Sequence, residues 1–111
     1  MIKTTGNMIE ISRGDCRPFT ITLTGDDIPQ DGERVLFSVK KDSASSTALI
    51  EKDLTVQDGK VSVQIMNADT KSLAFGDYEW DIRFPDMFGE NEPYTPMKPA
   101  RFRIAKVIGN V

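Results

Sequence analysis

Acid–base or nucleophilic chemistry needs a proton carrier or an activated nucleophile, and these 111 residues hold no histidine and one cysteine, Cys16. With Arg13 and Arg17 nearby but no histidine to take its proton, Cys16 reads as a small thiol, buried or half-buried, at the start of a strand. Arg13-Gly14-Asp15 matches the integrin-binding tripeptide. A turn ahead of a strand accounts for it, because glycine accepts positive φ and aspartate bonds its own downstream backbone. Two carboxylate clusters, Asp26, Asp27 and Asp31 in one loop and Asp86, Glu90 and Glu92 in another, offer the hard oxygen atoms that calcium takes. Neither has the alternating-ligand spacing of a calcium loop, so both read as solvated loop charge. Glycoside hydrolysis would need two carboxyls, one with its pKa raised in an apolar cleft, and no stretch marks such a cleft. The residues therefore predict no catalytic group, no metal site and no cofactor.

The charge balance narrows the partners. Fourteen basic residues against 17 acidic ones leave a net charge of −3, without the basic face that nucleic acid or an anionic membrane surface would want. Neither is expected as a partner. A single cysteine cannot form an intrachain disulfide, and a secreted domain of this size often carries one, which favours assembly in a reducing cytoplasm. The opening residues, Met-Ile-Lys-Thr-Thr-Gly-Asn-Met, lack the apolar run of a signal peptide, and no window approaches a membrane span. Residues 1–111 are expected to form one domain, large enough to bury a core without a metal or disulfide staple.

Any site must be positioned by strands, since alternation with a period of two recurs along the chain. Residues 8–11 put Ile9 and Ile11 inward. Residues 17–24 put Phe19, Ile21 and Leu23 on one face and Thr20, Thr22 and Thr24 on the other. Residues 34–40 point Val35, Phe37 and Val39 inward and Leu36, Ser38 and Lys40 outward. Over 48–55 the phase is ambiguous between Leu49 and Ile50, which predicts an edge strand with a bulge. Asp58-Gly59 is a tight hairpin signal, leading to Val61, Val63 and Ile65. The last strand, 101 to about 107, turns Phe102 and Ile104 inward.

The most regular stretch runs from Tyr78, with Tyr78, Trp80, Ile82 and Phe84 on one face and Glu79, Asp81 and Arg83 on the other. It holds the only Trp, and aromatic side chains dominate core energetics, so it is expected to be the central strand. Ahead of it, Asp69-Thr70, Leu73 and Gly76 read as a helical turn and a sharp corner. Behind it, residues 85–100 hold four prolines with Met87, Phe88, Tyr94 and Met97. A structureless loop of that length is uncommon, and two readings of these four residues stand side by side: contact with a neighbouring subunit, or a cap over one open end of the sandwich through an added hairpin around Gly89. The whole pattern predicts an all-β fold, a seven-stranded antiparallel immunoglobulin-like β-sandwich.

Asp69, Leu73, Gly76, Tyr78 and Trp80 resemble the tyrosine corner of immunoglobulin-like sandwiches, in which a Tyr at the start of the sixth strand ties its hydroxyl to the preceding loop. The order of motifs carries a wider likeness. Arg13-Gly14-Asp15, Phe19-Ile21-Leu23, the Phe37–Lys41 strand, Asp58-Gly59, and Asp69-Thr70 through Trp80-Asp81-Ile82 resemble the small immunoglobulin-like domains of tailed-phage virion proteins. In particular they resemble the N-terminal domain of the baseplate upper protein family, across roughly residues 9–107. The resemblance implies a non-catalytic structural domain of a phage or prophage tail or baseplate, located in the virion, contacting other tail subunits and forming homo-oligomers. The alternative is a bacterial surface or carbohydrate-recognising β-sandwich.

Overall fold

The computed structural model describes residues 2–4, 8–25, 29–42, 47–85 and 100–106. It is all-β, with eight strands among those residues: β1 (Ile2–Thr4), β2 (Ile9–Ser12), β3 (Arg17–Gly25), β4 (Arg34–Lys40), β5 (Ile50–Thr55), β6 (Lys60–Ile65), β7 (Gly76–Arg83) and β8 (Ala100–Ala105). A short helix, α1 (Asn67–Thr70), precedes β7. Two sheets form, in the orders β1-β3-β6 and β2-β8-β7-β4-β5.

The alternating residues explain why these sheets face one another. Ile21 and Leu23 of β3 and Val61, Val63 and Ile65 of β6 share one buried cluster with Val35, Phe37 and Val39 of β4, Tyr78, Trp80 and Ile82 of β7, and Phe102 and Ile104 of β8. β7 is the middle strand of its sheet, and Trp80 is 1% exposed. Its ring lies 5.6 Å from Phe37, whose other neighbour, Phe19 of the opposite sheet, stands edge-on at 5.6 Å and 68°. This run of three rings crosses from one layer to the other in the tilted and edge-to-face arrangements that aromatic pairs favour.

Two features differ from the antiparallel seven-strand expectation. β1 is an eighth strand, paired antiparallel with β3, and at three residues it is too short to show a period. β2 runs parallel to β8, with Ile9 opposite Phe102 and Ile11 opposite Ile104. Inward and outward alternation reads the same in either direction, so strand polarity is fixed by where the chain goes: β1 joins one sheet and β2 the other. Chains that switch sheets in this way make the corners of sandwiches.

The turns follow their residues. Asp58 (φ 52°) and Gly59 (φ 70°) both take the left-handed conformation that a two-residue hairpin turn of this hand demands. The turn is closed by Gln57 and Lys60, which exchange backbone hydrogen bonds of 2.8 and 2.9 Å. Unusually, it joins strands of different sheets. Val56, fully buried, still bonds to Glu33 and Gly32 beside β4, while Gly59 O already accepts from Leu23 of β3. Asp31, one of the acidic-loop residues, accepts the Asp58 N–H at 2.8 Å, so its carboxylate holds this turn. At the start of β5, Leu49 N–H reaches Val39 O although Val39 is in register with Ile50. Two residues thus address one, the arrangement of a bulge.

One outward residue behaves unexpectedly. Leu36 is 9% exposed yet stands outside the shared core, in register between Asp53 and Arg83. Beside it, Asp81 faces Ser38, and burial lifts its carboxyl above the ordinary value while the charges of Lys40 and Arg83 draw it back. A carboxyl with a raised folded pKa binds its proton more readily folded than unfolded. Stability is then greatest below the unfolded pKa and declines as pH rises through the folded one. Asp81→Asn is therefore expected to raise stability at neutral pH by up to about 0.5 kcal/mol, and to change little below the carboxylate range. Urea unfolding at the two pH values checks this, and an equal change at both would contradict it.

Candidate interaction surface

At one end of the domain, the corner ahead of β7 is built from polar residues far apart in sequence. Asp69 begins it: its carboxylate accepts the Met66 N–H at 2.7 Å, while Asp69 N–H returns a bond to Met66 O at 2.9 Å. This satisfies donors that the first turn of a helix leaves open. The same carboxylate lies 2.7 Å from Lys52 Nζ, tying α1 to β5 of the other sheet. Leu73 packs against the core and its N–H bonds to Thr70 O at 2.9 Å. Gly76 takes φ 135°, a conformation open to glycine alone without strain. Two residues on, the Tyr78 hydroxyl donates to Ala74 O at 2.8 Å.

Onto this corner docks the turn before β3. Gly14 N–H donates to the hydroxyl of fully buried Thr70 at 2.8 Å, and Asn67 Nδ2 donates to Gly14 O at 2.7 Å. The Arg13 guanidinium sits 4.1 Å above the Phe75 ring centroid, within cation–π range. The tripeptide 13–15 is therefore clamped at its glycine and its arginine is parked on a ring, which is a structural use. Cys16, expected to be buried or half-buried, is instead exposed, two residues beyond the clamped Gly14. Met87, Phe88, Tyr94 and Met97 lie outside the described residues, as do Asp26, Asp27, Asp86, Glu90 and Glu92.

The two outer faces differ in charge. On the five-stranded sheet Glu10, Arg103, Asp77 and Arg101 form a ladder, with 3.6 Å between Glu10 and Arg103, 2.8 Å between Arg103 and Asp77, and 3.8 Å between Arg101 and Asp77. The hydrogen bond from Arg103, then the charges of Arg103 and Arg101, hold the Asp77 carboxyl below its ordinary range. A polar recess of about 340 Å³ opens beside the ladder, lined by Lys41, Asp77, Tyr78, Glu79, Ala100 and Arg101. Its two cations and two carboxylates balance, which leaves no net charge to select a ligand. The outer face of β3 and β6 is different: Pro18, Thr20, Thr22, Thr24, Ser62 and Gln64 are uncharged, and Lys60 alone is ionised.

Open sheets end in edges whose free backbone groups can pair with another chain. Three of the four edge strands among the described residues, β1, β2 and β5, each carry a different guard. β1 is three residues long. β5 presents exposed Glu51 and Asp53, the latter paired with Arg34 at 3.0 Å. On β2 the Glu10 carbonyl accepts from Arg17 Nη1 at 2.6 Å. β6 has none of these devices at Ser62 and Gln64, both exposed and neutral, and among the described residues it pairs with β3 alone. Composition hinted at this strand through Val61, Val63 and Ile65, but nothing local to it says that it lies at an edge.

No known protein family matches the chain, and no curated protein matches it.

Proposed function

We propose that this protein is a non-catalytic structural domain of a phage or prophage tail or baseplate, working through contacts with neighbouring subunits. The observation that carries the reading is the corner. The residues on which the likeness to phage immunoglobulin-like domains turned, Asp69, Thr70, Leu73, Gly76 and Tyr78, act as one unit, with the Tyr78 hydroxyl bonded back to Ala74. The strand order supports the immunoglobulin-like assignment as well. β1-β3-β6 facing β8-β7-β4-β5 corresponds to strands A-B-E facing G-F-C-C′ of such sandwiches, with β2 as the second half of the first strand, moved to the opposite sheet.

The work of such a domain is geometric: a rigid two-layer body holds edges and loops in fixed directions, and symmetry multiplies weak contacts. Met87, Phe88, Tyr94 and Met97 belong to this proposal as contacts to a neighbouring subunit. A carbohydrate-binding role would draw support from clustered exposed aromatic rings; among the described residues the exposed large aromatic is Phe75, with Arg13 already on its ring. The test is mass spectrometry of purified phage or induced prophage particles from the source strain. The chain is expected in the particle fraction in constant ratio to tail proteins. Recovery only in the soluble fraction would sink the reading.

A further inference from the structure

We propose that the β6 edge is a two-fold contact at which a second copy of this chain adds its own β6 antiparallel, joining two three-stranded sheets into one of six strands. The proposal rests on reading the chain as an interaction domain and adds the identity of one partner.

Backbone directions come first. Leu23 N–H bonds to Gly59 O at 2.8 Å, which makes 23 and 59 a bonded pair of the β3–β6 ladder. Bonded and non-bonded pairs alternate in antiparallel strands. Ile21 with Val61, Phe19 with Val63 and Arg17 with Ile65 are then bonded pairs, and Ser62 and Gln64 turn their N–H and C=O groups away from β3. Pro18, which has no N–H to give, falls opposite Gln64, where the ladder asks for none. The neighbouring outward groups are already used, Lys60 by Gln57 and Met66 by Asp69. Among the described residues the open edge is thus Ser62 and Gln64, two donors and two acceptors.

This edge is its own complement. With the two-fold axis at Val63, Ser62 of each copy faces Gln64 of the other, and all four groups on each side are used in four N–H···O bonds. Lys60 then faces Met66 of the second copy, which is 47% exposed. No like charges meet across the seam, where directly opposed like charges would destabilise it. The same patch serves both copies, as an isologous interface requires. Continuing the sheet also continues its neutral Thr, Ser and Gln outer face, whereas the opposite sheet would bring its charge ladder against itself.

Sedimentation equilibrium over a concentration series tests this on four samples: the wild-type chain, S62K/Q64K, S62E/Q64E, and an equimolar mixture of the two variants. The wild type is expected to reach twice the mass of one chain. Each variant places like charges opposite one another twice, and is expected to raise the dissociation constant at least about tenfold; the mixture restores association by pairing opposite charges. Both side chains are exposed and face away from the core, so urea midpoints near that of the wild type confirm that the variants fold. A monomeric wild type at all concentrations, or a dimer indifferent to both variants, overturns the proposal. If the chain is found in particles while the purified wild type is monomeric, the two-fold contact fails and the tail assignment stands.

Discussion

Trp80→Ala is expected to destabilise the domain by about 3–5 kcal/mol, the range for truncating a large buried aromatic. Trp80 is the largest fully buried side chain and sits at the middle of β7. Its removal breaks the run of rings that leads through Phe37 to Phe19 in the opposite sheet, so the loss falls on the contact between layers as well as on one strand. A natural domain has only about 5–15 kcal/mol in all, so the variant gives up a large share of it and is expected to unfold at a much lower urea concentration. Trp80→Phe separates two contributions. The indole Nε1 is buried with no hydrogen-bond partner among the described residues, and an unpaired buried donor is itself costly. Phenylalanine gives up area but also removes that donor, so less than half of the alanine effect is expected. Urea titration followed by circular dichroism measures both. An alanine variant within about 1 kcal/mol of the wild type would mean that Trp80 does not hold the layers together.

Gly14→Ala is expected to cost about 2–4 kcal/mol, from two sources that act together. Gly14 has φ 87°, and a residue with a side chain held there is strained by roughly 1–3 kcal/mol. A Cβ at this position would also meet Asn67 Nδ2 at 3.0 Å, the group that donates to Gly14 O. Relieving the clash moves Asn67 and loosens the clamp, leaving the buried Thr70 hydroxyl without the Gly14 N–H; a net hydrogen bond is worth about 0.5–1.5 kcal/mol. Thermal unfolding of the variant checks this, with Asn67→Ala as a companion that removes the clash partner without altering φ. If the two variants together lose no more than Asn67→Ala alone, backbone strain at Gly14 is not part of the account.

These residues also show what a linear reading can and cannot recover. β4 spans the residues its alternation predicts, 34–40, and β3 and β6 differ by one residue at an end, because long runs of β-branched and aromatic residues at every second position have few other ways to hide from water. β1 is invisible for the opposite reason: three residues make no pattern. The parallel pairing of β2 with β8 depends on the path of the chain between sheets, which no strand encodes alone. The Gly14 clamp joins residues 53 and 56 positions apart, so nothing beside Thr70 or Asn67 in sequence points to it. The β6 edge is similar, since its alternation is plain while its pairing with β3 alone among the described residues is a property of the assembled sheet.

β7 lies inside a core shared by both sheets, and the chain carries its own reporter of that position, since Trp80 is the only tryptophan. Fluorescence of the native protein with iodide as quencher reads its surroundings directly. A blue-shifted emission that iodide leaves almost untouched, reverting to quenchable long-wavelength emission in urea, is the predicted result; emission that is already red-shifted and freely quenched in the native protein would contradict it.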